Sequence, residues 1–174
     1  MPITSVTSDP KALTLTVVGE YPVSVERLWD AWADPRQLEK FWGPPTWPAT
    51  FIRHDMVVGG GSQYFMTGPD GERTSNCYWK FLRIDAPHRL EVRNGFALED
   101  GSPDPGMPGM TIEFRFESTG TGARFTGVTR FESLEGMEQL VGMGMVEGMT
   151  SALGQLDDLL AGTASLEASR ATKA

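Results

Sequence analysis

A single cysteine, Cys77, leaves this chain unable to form an internal disulfide or a multi-cysteine zinc site. Histidine is nearly as scarce: His54 and His88 are the only two. Positive charge is also short, with 15 Lys and Arg against 23 Asp and Glu and a formal net charge of −8. That balance argues against nucleic acid, whose binding needs clustered cations to displace phosphate counterions, and against anionic membrane surfaces. No apolar run approaches bilayer-spanning length, and the opening residues MPITSVTSDPK carry no basic and apolar stretches of a secretory leader, so no membrane insertion is expected. With one unpaired thiol, the expected location is the cytoplasm. No phosphate-binding loop, nucleophile elbow or zinc-protease helix is present.

Tryptophan, by contrast, is concentrated. Four of the 5 lie in Val25–Pro48, VERLWDAWADPRQLEKFWGPPTWP. Ser24 is a good N-cap, and Val25, Leu28, Trp29 and Trp32 then fall on one helical face. Asp34-Pro35 restarts a second helix, with Asp as cap and Pro at the first position, and Gly43-Pro44-Pro45 stops it. A strand is expected at about 12–20 before this pair, and residues 1–11 read as a loose terminus.

From Thr50 to Phe131 the pattern is mostly strand. Segments at 51–55, 62–67, 75–85, 90–98, 111–117 and 123–131 are separated by turn signals such as Gly68-Pro69-Asp70-Gly71. The triple glycine at 59–61 reads as a bend in the sheet, and residues 99–110, EDGSPDPGMPGM, as a long loop. Ser133 can cap one long helix over about 134–161, with Val141, Met145, Met149, Ala152, Leu156 and Leu159 as its stripe and Gly162 as a left-handed stop; the tail from Thr163 reads as flexible. The long helix must bury its stripe on the largest available partner. The fold class is therefore α+β: a curved antiparallel sheet of about seven strands wrapped around a long C-terminal helix, in one domain over 12–162.

Four segments carry a resemblance: WDAWADPRQLEKFWGP at 29–44, Gly59-Gly60 followed after a strand by GPDG at 68–71, IDAPHRL at 84–90, and GMVEGMTSALGQLDDLL at 144–160. Their order and spacing resemble the START-like (SRPBCC, birch-pollen-allergen-like) superfamily, and within it the branch of heat-shock ATPase activator homologues, which also holds an enediyne-resistance protein. The resemblance implies a helix-grip fold with a pocket between sheet and helix. It also implies three open roles: binding of an apolar or aromatic small molecule, polyketide cyclase or hydrolase chemistry, or action as a co-chaperone of a heat-shock ATPase. It implies no cofactor, and a homodimer is compatible with it.

Candidate pocket residues follow from alternation and from the resemblance together. Ser62, Tyr64 and Met66 share one strand face and match the family's inward positions. Trp47, Phe51, Trp79, Phe96 and Phe114 are strand or strand-edge aromatics that either line a pocket or fill a core. Met110, Met145 and Met149 supply polarizable thioethers that adapt to a ligand or to core gaps. Glu147 either turns inward as an acid or ligand anchor, or lies in water. Four glycines in the last helical region, Gly142, Gly144, Gly148 and Gly154, each cost about 1 kcal/mol relative to alanine, which points to close packing or local deformability. No residue is assigned a catalytic role, since neither histidine has a partner in reach on the sequence pattern, and no metal site is expected. The ligand is expected to nest beneath the final helix, roofed by the 99–110 loop.

Overall fold

The computed structural model describes residues 3–173, with side chains through Gly162. Eight strands form one antiparallel sheet: β1 Ile3–Asp9, β2 Thr14–Tyr21, β3 Ala49–His54, β4 Gly61–Thr67, β5 Arg73–Asp85, β6 Arg89–Phe96, β7 Met110–Ser118 and β8 Ala123–Phe131. The spatial order is β1-β2-β8-β7-β6-β5-β4-β3, so β2 reaches β8 directly and the rest is a meander. Helices α1 Val25–Ala33 and α2 Pro35–Phe41 bridge β2 to β3, and α3 Leu134–Gly142 and α4 Met145–Lys173 follow β8. This is an α+β helix-grip fold with one strand more than expected.

The extra strand is β1, in the segment expected to be loose. It is polar and exposed along almost its whole length, and pairs only with β2. A strand wet on both faces has no inward set of side chains, so alternation cannot reveal it. At the opposite edge, α2 closes the sheet. Glu39 accepts from the Phe51 backbone N–H at 3.1 Å and Arg36 donates to the Phe51 carbonyl at 2.8 Å, which removes that pair of free strand groups from edge-to-edge pairing.

The helix pair forms for the reasons its sequence suggests. The Ser24 hydroxyl accepts from Arg27 N–H, the Asp34 carboxylate accepts from Arg36 N–H, and Pro35 opens α2. Trp32 is fully buried and packs against Phe41, Phe116 and Phe125, with ring centroids at 5.0, 5.1 and 4.9 Å. Ile112, Phe114 and Phe116 of β7 all face this core, while Thr111, Arg115 and Glu117 face outward.

The final helical region is not continuous. Ser133 caps α3 through Gly136 N–H, but α3 ends at Gly142 and the chain turns at Gly144, whose φ is +90°. Only then does α4 begin. Nor does Gly162 stop it, since α4 runs through to Lys173. The buried face of α4 is Ala152, Leu153, Leu156 and Leu160, with Leu159 partly covered. Two side chains tether this stretch. The Tyr21 hydroxyl donates to the Leu153 carbonyl at 3.2 Å, and Gln155 Nε2 donates to the Gly43 carbonyl at 2.6 Å.

Candidate functional site

Between the inner faces of β4, β6 and β7 and the first turns of α4 lies a pocket of about 200 Å³. The sheet contributes Tyr64, Met66, Asn94, Met110 and Ile112. The turn after α2 contributes Trp42, Gly43 and Pro44, and α4 contributes Met145, Gly148, Met149, Ala152 and Leu153. Gly43 has φ +94°, and a Cβ there would stand 2.7 Å from the Trp47 carbonyl oxygen and 2.9 Å from Met66 Sδ, so only glycine lets the chain turn at this wall.

A second, outer pocket of about 390 Å³ shares Pro44, Met66, Met110, Met145 and Gly148 with the first. Exposed Trp47 and Met143 and half-buried Phe96 carry it toward solvent, while Cys77 and Leu140 are buried in its wall. The α3–α4 break sits on this outer chamber, because Met143 and Gly144 line it and Met143 is exposed.

The candidate residues therefore divide. Tyr64, Met66, Met110, Met145 and Met149 line the inner chamber; Trp47 and Phe96 line the outer one. Phe51, Ser62, Trp79 and Phe114 are buried in the core and line neither chamber. Phe51 stacks on Tyr64 from behind, with centroids 4.6 Å apart. Ser62 is occupied by His54: its hydroxyl lies 2.7 Å from Nδ1, while Nε2 lies 3.0 Å from the Trp32 carbonyl. That carbonyl can only accept, so Nε2 carries the proton and Nδ1 accepts from Ser62. His54 is thus a clasp between β3, β4 and the end of α1. Glu147 is exposed and lines neither chamber, so the inward alternative for it fails.

Two further expectations change. The 99–110 loop does not roof the site, because neither chamber includes any residue from 99 to 109. It folds instead against outward-facing Tyr78 and Arg93, with Pro103 bridged to Ala97 and the Asp104 N–H donating to the Phe96 carbonyl. Close packing does not explain Gly142 of α3 or Gly148 and Gly154 of α4 either. A Cβ at Gly142, Gly148 or Gly154 would meet nothing within 4 Å. Gly148 borders both chambers, so its missing side chain is open space on the pocket side.

The polar groups here are few. Asn94, a residue absent from the candidate set, is 6% exposed. Its Nδ2 donates to the Tyr64 hydroxyl at 3.1 Å and to the Tyr78 carbonyl at 3.0 Å. Alternation along β6 was the available signal, since Leu90, Val92 and Asn94 fall on one face. Burial pushes the Tyr64 hydroxyl pKa well above its ordinary value and the Cys77 thiol up to about 12. Neither is a base or nucleophile near neutral pH. Among the described residues no group of three or more His, Cys, Asp or Glu is placed to hold a metal, and no helix is long and apolar enough to cross a membrane.

Sheet, helix pair and terminal helix define the START-like, or SRPBCC, class of α+β proteins, a ligand-binding fold. The family model described as "Activator of Hsp90 ATPase homolog 1-like protein" matches residues 22–161, and the chain belongs to that family. Among solved structures, a solution structure from Arthrobacter aurescens is 44% identical with a TM-score of 0.86, covering 91% of each chain. A crystal structure from Mycobacterium smegmatis is 45% identical with a TM-score of 0.84, covering 91% of this chain and 97% of that one. A protein from Nitrosomonas europaea, at 24% identity and a TM-score of 0.76 over 88% of this chain and 97% of its own, shares the fold. No curated protein matches the chain.

Proposed function

We propose that the protein binds an apolar, aromatic small molecule in the two-chambered pocket beneath α4, and holds it without turning it over. One observation carries this reading. Met66, Met110 and Met145 border both chambers, with Met149 and Trp42 in the inner one, so flexible thioethers surround a space reaching from the core to the surface. Thioethers contact aromatic rings favourably and adjust to their shape. Burial of ligand surface supplies affinity at about 25 cal/mol per Å² of apolar area removed from water. Enzymatic turnover on the same fold would require a convergent acid–base pair. The only ionisable side chains lining the chambers are Tyr64 and Cys77, and both are held neutral by burial. We place the protein in the cytoplasm on its single unpaired thiol.

Thermal melts against a panel of one- to three-ring aromatic compounds test the reading. At a hundredfold excess over Kd a bound ligand adds about 2.7 kcal/mol, a shift of roughly 5–10 °C for a domain of this size. No shift with any compound, together with capture of a heat-shock ATPase in a pull-down, would replace ligand binding with a co-chaperone role.

A further inference from the structure

The inner chamber is apolar except where the Asn94 amide meets the Tyr64 hydroxyl, and the amide there has a defined polarity. Both amide hydrogens of Asn94 are engaged, one by the Tyr64 hydroxyl and one by the Tyr78 carbonyl. The carbonyl can only accept, so the amide nitrogen must face it and the orientation of the side chain is settled. The other end of the amide, Oδ1, accepts from no group among the described residues. It is not among the sealed, partnerless polar atoms of the interior, and the inner chamber is the pocket that Asn94 lines. The inner chamber therefore has an unpaired carbonyl oxygen in its wall, on a residue more than nine-tenths buried.

Building on the ligand-binding reading above, we propose that the pocket selects neutral aromatic ligands bearing an O–H or N–H donor, with Asn94 Oδ1 as the acceptor. A donor-bearing ligand completes the hydrogen bonding of a buried amide. A purely apolar one leaves the oxygen stripped of water and unpaired, which is unfavourable. A carboxylate meets the same lone pairs with no compensating cation, because no Lys, Arg or His lines either chamber. Tyr64 is the positioning residue: its oxygen receives one amide hydrogen, and its ring is held by the stacked Phe51.

The test uses the whole protein at neutral pH with three probes of one shape: naphthol, its methyl ether and naphthoate. Calorimetric titration is expected to give naphthol an affinity about tenfold above the ether, the scale of one buried hydrogen bond, with naphthoate weaker still. In Asn94→Ala the naphthol and ether affinities converge. Should that variant fail to fold, the side-chain amide resonances of Asn94 in the unmodified protein decide the matter, since acceptance at Oδ1 polarises the amide and moves them with naphthol but not with the ether. Equal affinity for naphthol and ether, or unmoved amide resonances, overturns the donor assignment and leaves the pocket reading standing. Absence of binding by all three probes removes the pocket reading itself.

Discussion

Three glycines within eleven residues predict stability changes of opposite sign. Gly148 and Gly154 lie inside α4 at ordinary negative φ, and a Cβ at either would meet nothing within 4 Å. Replacing each with alanine removes only backbone freedom from the unfolded chain and gains about 1 kcal/mol. The two sites are separated by about 9 Å of helix rise, far enough to add. The double variant should gain about 2 kcal/mol, or roughly 4–8 °C in Tm. Gly144 differs. A Cβ there meets only Glu147 Oε2, at 4.0 Å, so sterics with neighbours do not matter, but its φ is +90°. Alanine at that dihedral costs about 1–2 kcal/mol. Urea denaturation of Gly144→Ala, Gly148→Ala and Gly154→Ala separates the cases. Stabilisation by Gly144→Ala would mean that α3 and α4 run as one helix in solution, and the break over the outer chamber would not exist. Destabilisation by Gly148→Ala would mean that its pocket side is filled. Gly148→Ala also narrows the passage between the chambers, so it should weaken binding of an aromatic probe while Gly154→Ala, away from both chambers, should not.

Other consequences are simpler to test. Cys77 is buried with its pKa pushed up to about 12, so Ellman's reagent should leave it unmodified in the native protein at mildly alkaline pH and titrate it fully in guanidinium; rapid native labelling would contradict its placement. Burial lowers the His54 pKa below its ordinary value of 6.5, outweighing the opposing effects of the Trp32 carbonyl and Asp34. The unfolded chain therefore takes up this proton first as pH falls. The stability linked to His54 is intact above about 6.5 and is lost as pH drops through the native pKa, a slope that His54→Gln should remove from pH-dependent melts. Tyr21→Phe deletes the hydroxyl bonded to the Leu153 carbonyl and should cost about 1 kcal/mol in urea denaturation; no change would mean that α4 is not held there.

Much of the architecture is legible because local signals agree with one another. Ser24, Asp34-Pro35 and Ser133 announce three helix starts by chemistry that needs no tertiary context. Strands with one wet face betray themselves by alternation. The parts that escaped are those where tertiary geometry overrides a local pattern. β1 has no dry face to alternate with. The run Val141 to Met149 keeps helical spacing across a residue of positive φ, so the periodicity hides the break at Gly144. Within α4, Glu147 stands two residues, about 200° around the helix, from both Met145 and Met149, so it lies in water while they face the pocket. The loop at 99–110 connects β6 to β7 near the mouth of the site, and composition does not say on which side of the sheet it lies. Asn94 was within reach of the alternation argument, but a polar residue in an apolar strand position reads equally as an outward one until its neighbours are counted.

The concave face of the sheet carries two different interiors, one of interlocked rings and one that leaves open space. Under α1 and α2, aromatic rings interlock: Trp32, Phe41, Phe114, Phe116 and Phe125 lie within 4.9–5.9 Å of ring neighbours and are fully or almost fully buried. Such packing favours one arrangement, since stiff rings have few rotamers to exchange. Under the start of α4, the rings give way to methionine, glycine and alanine. The polar tethers of α4 begin only at Leu153 and Gln155; among the described residues no hydrogen bond ties 145–149 to the sheet. Opening there disrupts few contacts, whereas opening under α1 would break the aromatic cluster. The unbonded turns are the same ones that cover the pocket and follow the turn at Gly144, so the least constrained part of the helix is the part the proposed ligand would pass.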